Sequence, residues 1–133
     1  MAELSINGAT YSYNANPAHR NMTPDRSQWT VPLPREENTF RFSIESNWRH
    51  ESYSWGLYIE NGNAHYLGLD RDHQTQVFLA RFEARTVPEV WHGYPVGHRD
   101  RSPPETILKK WIDGNVLPKA KIAKIAAGKK CTL

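Results

Sequence analysis

The chain has 133 residues, 38% hydrophobic and 23% charged, with a formal net charge of +3. That is the length of one domain, long enough to bury roughly two-thirds of the surface its extended form exposes, so wholesale disorder is excluded. No run approaches the ~18 apolar residues of a membrane helix, no secretory signal opens the sequence, and one cysteine, Cys131, excludes an intramolecular disulfide and suits a reducing, cytoplasmic setting.

In chain order, Leu4–Tyr13 reads as a strand, with Ile6 and then Tyr11 and Tyr13 on alternate positions. A long irregular stretch follows from Asn14 to Asn38, carrying Pro17, Pro24, Pro32 and Pro34. Loops of this length in small domains are binding loops or flexible segments, and Trp29-Thr30-Val31 is the place to pin this one to the body. Between Thr39 and Trp48, Phe40, Phe42 and Ile44 alternate with Arg41, Ser43 and Glu45, the period of a half-buried strand. A further strand covers Trp55–Glu60, turns at Asn61-Gly62 and returns over Ala64–Leu69, because both turn residues tolerate positive φ.

Thr75–Thr86 is the last predicted strand. Phe78, Ala80, Phe82 and Ala84 form one face, and Val77, Leu79, Arg81, Glu83 and Arg85 form the other. After a connecting segment over 91–101, Ser102-Pro103-Pro104-Glu105 has the form of a capped helix start. Ile107, Leu108, Trp111 and Ile112 recur at helical spacing, Gly114 closes that helix, and Pro118 opens a second whose stripe is Ile122, Ile125 and Ala126 before Gly128. The expected fold is α+β: one domain with a mostly antiparallel sheet of four or five strands over residues 1–90, and a helical pair over 102–128 packed on it.

Charge is unevenly placed. Residues 1–100 hold nine arginines, no lysine and twelve acids, a net of −3, whereas 101–133 hold Arg101 and seven lysines against two acids, a net of +6. A local basic field attracts nucleic acid or an acidic protein surface. From Thr106 to Lys130 the order of apolar helix, glycine, turn and lysine-rich helix ending in Gly-Lys resembles the helix-turn-helix of small phage-type repressors. That resemblance implies Lys119, Lys121 and Lys124 at the groove or the phosphates, with Lys129 and Lys130 on the backbone. The second helix carries no glutamine, asparagine or arginine to read bases, and an αα-hairpin packing Trp111 and Ile122 on the sheet accounts for the same pattern.

Two other clusters carry chemistry. Trp91-His92-Gly93-Tyr94-Pro95, followed by His98, Arg99 and Arg101, places a histidine between aromatics beside a glycine. That suits a pocket in which Trp91 and Tyr94 flank a ligand, His92 acts as general acid or base and Arg99 or Arg101 clamps an anion. It equally suits a turn with His92 bonded to a backbone carbonyl. The second cluster is Arg81, Glu83 and Arg85, two apart on one strand face. With His92 they resemble the set of metal-independent ribonucleases, where Glu and His exchange protons and Arg stabilises the phosphorane charge; cross-strand ion pairing explains them as well.

His65, Asp70, Asp72 and His73 match no metal-ligand spacing, and an Asp-rich turn covers most of them. No phosphate loop, dinucleotide fingerprint or Gly-x-Ser-x-Gly elbow occurs, so no cofactor is implied. The charge split ranks a non-enzymatic binding or regulatory protein first, with nucleic acid or an acidic protein as partner. A ribonuclease-like or phosphate-ligand enzyme built on Arg81, Glu83, Arg85 and His92 is the alternative. The small size also suits a partner-binding protein of a phage, defence or toxin–immunity system.

Overall fold

Asn7 and Gly8 both take positive φ, 52° and 80°, and so fold the first predicted strand back on itself. The result is an antiparallel hairpin of β1 (Ala2–Ile6) and β2 (Ala9–Tyr13). The computed structural model describes residues 1–85, 89–98, 100–130 and 133. Beyond β2 the chain makes a single 3-10 turn, Pro17–His19, and a short strand β3 (Gln28–Trp29).

The predicted strand over Thr39–Trp48 is instead part of a helix, α1 (Leu33–Glu45). Its buried face is Glu36, Thr39, Phe40 and Ser43, which recur at spacings of three and four. Three of those four are polar, so hydrophobic alternation pointed elsewhere; Phe42, which completed the strand pattern, is 42% exposed. Hydrogen bonding settles the polar ones: Ser43 Oγ donates to Phe40 O (2.7 Å) and accepts from Ser54 Oγ (2.7 Å).

Eight strands follow: β4 (Arg49–His50), β5 (Tyr53–Gly56), β6 (Tyr58–Glu60), β7 (Asn63–His65), β8 (Gly68–Leu69), β9 (Gln76–Val77), β10 (Leu79–Arg85) and β11 (Val90–Val96). The main sheet has the order β1-β2-β11-β10-β5-β4, antiparallel except for the β2–β11 pair. Asn61 and Gly62 turn β6 into β7 as their sequence predicts.

Most of residues 91–101 is therefore no connecting segment: Val90–Val96 sits in the middle of the sheet. Gly93 and Pro95 disguised it as a loop. A Cβ on Gly93 would lie 2.1 Å from the Phe82 ring, so only glycine lets the strand lie over that ring. Pro95 pairs with Ala80, but β2 pairs only with Val90 and Trp91, so past Trp91 no ladder on that side requires an N–H.

One sheet face packs Phe82 and Ala80 against Phe40 of α1, with Tyr13, Trp29 and Trp91 around them. Among the described residues the helices cover the opposite face at one end only. There Trp55, Leu79 and Val96 meet the helical pair α2 (Glu105–Asp113) and α3 (Lys119–Ala126) through Ile107, Leu108, Trp111, Ile122 and Ile125. The pair is thus a hairpin packed on the sheet. Its predicted serine cap is absent: Pro104 occupies the N-cap, and Ser102 Oγ donates to Ile125 O (2.7 Å), tying the segment before α2 to α3. Gly128, at φ +68°, ends α3 as expected.

Candidate functional site

The half of the second sheet face that the helices leave open is the floor of a cleft of about 1140 Å³. Strand alternation alone brings the predicted residues there. Glu83 pairs with His92 and Arg81 with Tyr94 across β10–β11, while Tyr53 of β5 faces Glu83 from the other side. Directly paired residues stand about 5 Å apart at Cβ, and Arg81, Glu83, Arg85, His92 and Tyr94 all line the cleft. One wall is formed by residues 14–19 and 24–27, part of the long proline-rich stretch for which the sequence left a binding loop and a flexible segment both open.

Arg81 is the centre of this arrangement. It is 6% exposed, yet among the described residues it meets no carboxylate within ion-pair distance. Nη1 donates to Tyr94 Oη (2.7 Å), the guanidinium lies 3.7 Å from the Tyr53 ring centre, and Nε is buried without a hydrogen-bond partner among the described residues. A buried cation without an anion is costly, because ring and hydroxyl contacts replace only part of its hydration. Arg85 behaves differently: its Nε donates to Glu83 Oε1 (2.6 Å), Nη2 reaches the same oxygen, and most of its side chain stays in solvent.

The two imidazoles are oriented by backbone. His92 Nδ1 lies 3.0 Å from Asn14 O, and His19 Nδ1 lies 2.8 Å from Ser27 O. A carbonyl only accepts, so each Nδ1 carries a proton and each Nε2 is left for exchange. His92 thus donates to a backbone carbonyl and lines the cleft, from a strand and not from the expected turn. His19, which sequence reasoning passed over, stacks on Tyr94 with ring centres 5.3 Å apart. The signal available for it was its place in the long loop.

Burial pulls the His19 pKa below its ordinary 6.5; the Ser27 hydrogen bond opposes this, and the Arg26 charge adds to it. The unfolded chain therefore takes up this proton first as pH falls. Stability is full above about 6.5 and declines below it, by about 1.4 kcal/mol for each unit of depression once the window is crossed. Melting curves between pH 7.5 and 5.5 are expected to shift downward in the native chain and less in His19→Phe, which keeps the stack on Tyr94. Equal slopes would show that His19 is not the group responsible.

The other predicted residues divide. Arg101 is exposed at the rim, whereas Trp91 is turned into the core against Phe40, because β11 alternation sends it opposite to His92 and Tyr94. Arg99, Cys131 and the end of the 75–86 strand at Thr86 lie outside the described residues. Lys119, Lys124, Lys129 and Lys130 are exposed on or after α3, away from the cleft, and Lys121 is half-buried. The expected Asp-rich turn over Asp70–His73 is present, with His73 N donating to Asp70 O (2.8 Å) and Asp72 accepting from Gln74 N, Thr75 N and Thr75 Oγ1. Among the described residues no group of three His, Cys, Asp or Glu side chains is placed to hold a metal ion, and no helix is long and apolar enough to cross a membrane. Compared with protein-family models, curated proteins and solved structures, the chain matches none.

Proposed function

We propose that the cleft binds the phosphate of an RNA backbone and cleaves it by general acid–base catalysis, which makes this chain a small ribonuclease-like enzyme. The observation that carries this reading is Arg81: a buried guanidinium with no carboxylate partner among the described residues, flanked on one sheet face by Glu83 and His92. A phosphodiester supplies the missing anion. Glu83 takes the proton of the 2′-hydroxyl as its oxygen attacks phosphorus. Arg81 and Arg85 offset the charge on the phosphorane oxygens, with the Tyr94 hydroxyl donating alongside. His92, protonated at Nε2, then gives its proton to the departing 5′-oxygen, and a 2′,3′-cyclic phosphate remains.

The test is incubation with a short single-stranded RNA in EDTA, with the ends analysed by mass. Cyclic phosphate and 5′-hydroxyl ends are expected; an intact RNA, or an equal rate on the matching DNA, which lacks the nucleophile, would overturn the reading.

A second reading keeps the helical pair as a nucleic-acid contact. It is favoured by Lys119, Lys124, Lys129 and Lys130, all exposed and in no ion pair among the described residues. If the same RNA runs over α3, Lys119→Glu with Lys124→Glu should weaken its binding several-fold at low salt and lower the salt slope by about 1–2. Unchanged affinity and slope would confine binding to the cleft.

A further inference from the structure

A second chamber of about 320 Å³ adjoins the cleft at Arg81. Tyr53, Arg81 and Arg101 line both spaces, whereas, of the two, His50, Trp55, Ser102 and Pro104 line only the chamber. The sheet register makes them neighbours: Trp55 pairs with Arg81, and Tyr53 with Glu83, on one face. Four of the seven lining side chains, His50, Tyr53, Trp55 and Pro104, are rings, in place of the polar loop that walls the cleft.

Two donors belonging to side chains that line the chamber are unsatisfied. The Trp55 indole N–H, in a side chain 3% exposed, and Arg81 Nε are both buried without a hydrogen-bond partner among the described residues. The Arg81 guanidinium lies 5.7 Å from the Trp55 ring centre. Each such orphan is a standing cost in the free protein, removed by a ligand whose acceptor reaches the buried nitrogen as the side chain turns toward it.

We propose that this chamber holds a nucleobase attached to the phosphate in the cleft, its acceptor edge meeting the Trp55 and Arg81 donors and its plane lying among the rings. A second phosphate fits the site less well. Indole is a neutral donor, the charge of Arg81 is already engaged by the first phosphate, and among the described residues Arg101 is the one further arginine or lysine lining the chamber. A base brings acceptors without charge, and aromatic walls stack any base face. The proposal rests on the phosphate-binding reading of the cleft, and its test separates the two.

Indole and arginine Nε resonances of the ¹⁵N-labelled protein are followed during titration with inorganic phosphate, uridine 3′-monophosphate and guanosine 3′-monophosphate. Trp55→Phe and Arg81→Lys assign the two signals. Phosphate is expected to shift Arg81 Nε alone, and at least one nucleotide to shift both Arg81 Nε and the Trp55 indole. Trp55→Phe should weaken that nucleotide about tenfold and leave phosphate affinity within twofold. If phosphate and both nucleotides move Arg81 alike and the Trp55 indole stays put, the base site is overturned while the phosphate cleft stands. If nothing moves Arg81, both readings fall.

Discussion

His92→Ala is expected to lower RNA cleavage by about 10²–10⁴-fold, the usual contribution of a positioned acid or base. The argument is geometric. His92 and Glu83 are register partners on adjacent strands, so their side chains stand side by side on the cleft floor, one able to take a proton while the other gives one. Asn14 O holds His92 Nδ1 at 3.0 Å, which fixes the ring and leaves Nε2 for the leaving oxygen. The stability cost should be small, because the ring is half-exposed and its loss removes one hydrogen bond, about 1 kcal/mol. Glu83→Gln should reduce cleavage comparably without abolishing binding, whereas Arg81→Lys should weaken binding first. A cleavage rate unchanged in both His92→Ala and Glu83→Gln would mean that the activity resides elsewhere or in a contaminant. A rate that falls only in proportion to the folded fraction would reduce His92 to a structural role.

How much of this could be read from the residues depends on which side chains do the packing. The face of β10 carrying Arg81, Glu83 and Arg85 was legible, because Ala80 just before them and Phe82 among them are plainly core and period two does the rest. The helical pair was legible for the same reason, through Ile107, Leu108, Trp111, Ile122 and Ile125. The helix α1 was not. Its buried side includes Glu36, Thr39 and Ser43, whose burial is made tolerable only by partners distant in sequence, such as Tyr13 and Ser54. Nor was β11, since Gly93 and Pro95 break strands in general and are accommodated here by the Phe82 ring and by the end of pairing with β2. Misreading β11 hid the register that places His92 beside Glu83. That register, more than the residue types, gives the cleft priority over the lysine face that the charge split brought forward.

The chain that walls the cleft is tied to α1 by an ion pair between half-buried Arg20 and buried Glu36, so Arg20→Ala is expected to destabilise the protein by about 3 kcal/mol. Glu36 is fully buried on α1, and Arg20 Nε (3.0 Å) and Nη2 (2.8 Å) both donate to its Oε1, while the Tyr13 hydroxyl donates to Oε2 (2.5 Å). Arg20 Nη1 also donates to Val31 O (2.9 Å), so one side chain ties the segment carrying His19 to the helix and to the chain entering it. Removing it leaves a carboxylate in the core with one hydroxyl for company. Burial already holds the Glu36 pKa above its ordinary 4.5, against the lowering pull of the Tyr13 and Arg20 hydrogen bonds and the Arg20 charge. The folded protein therefore takes up this proton more readily than the unfolded chain, and stability is gained as pH falls from the raised value toward 4.5. Losing Arg20 raises the folded value further and widens that window. Urea melts should accordingly show a smaller deficit for Arg20→Ala at pH 5 than at pH 8. The double change Arg20→Ala with Glu36→Gln should recover most of the loss at pH 8, since an amide keeps an acceptor for Tyr13 and needs no counter-charge. A deficit that is the same at both pH values, or that persists in the double variant, would show that Arg20 acts through its contact with Val31 and not by neutralising Glu36.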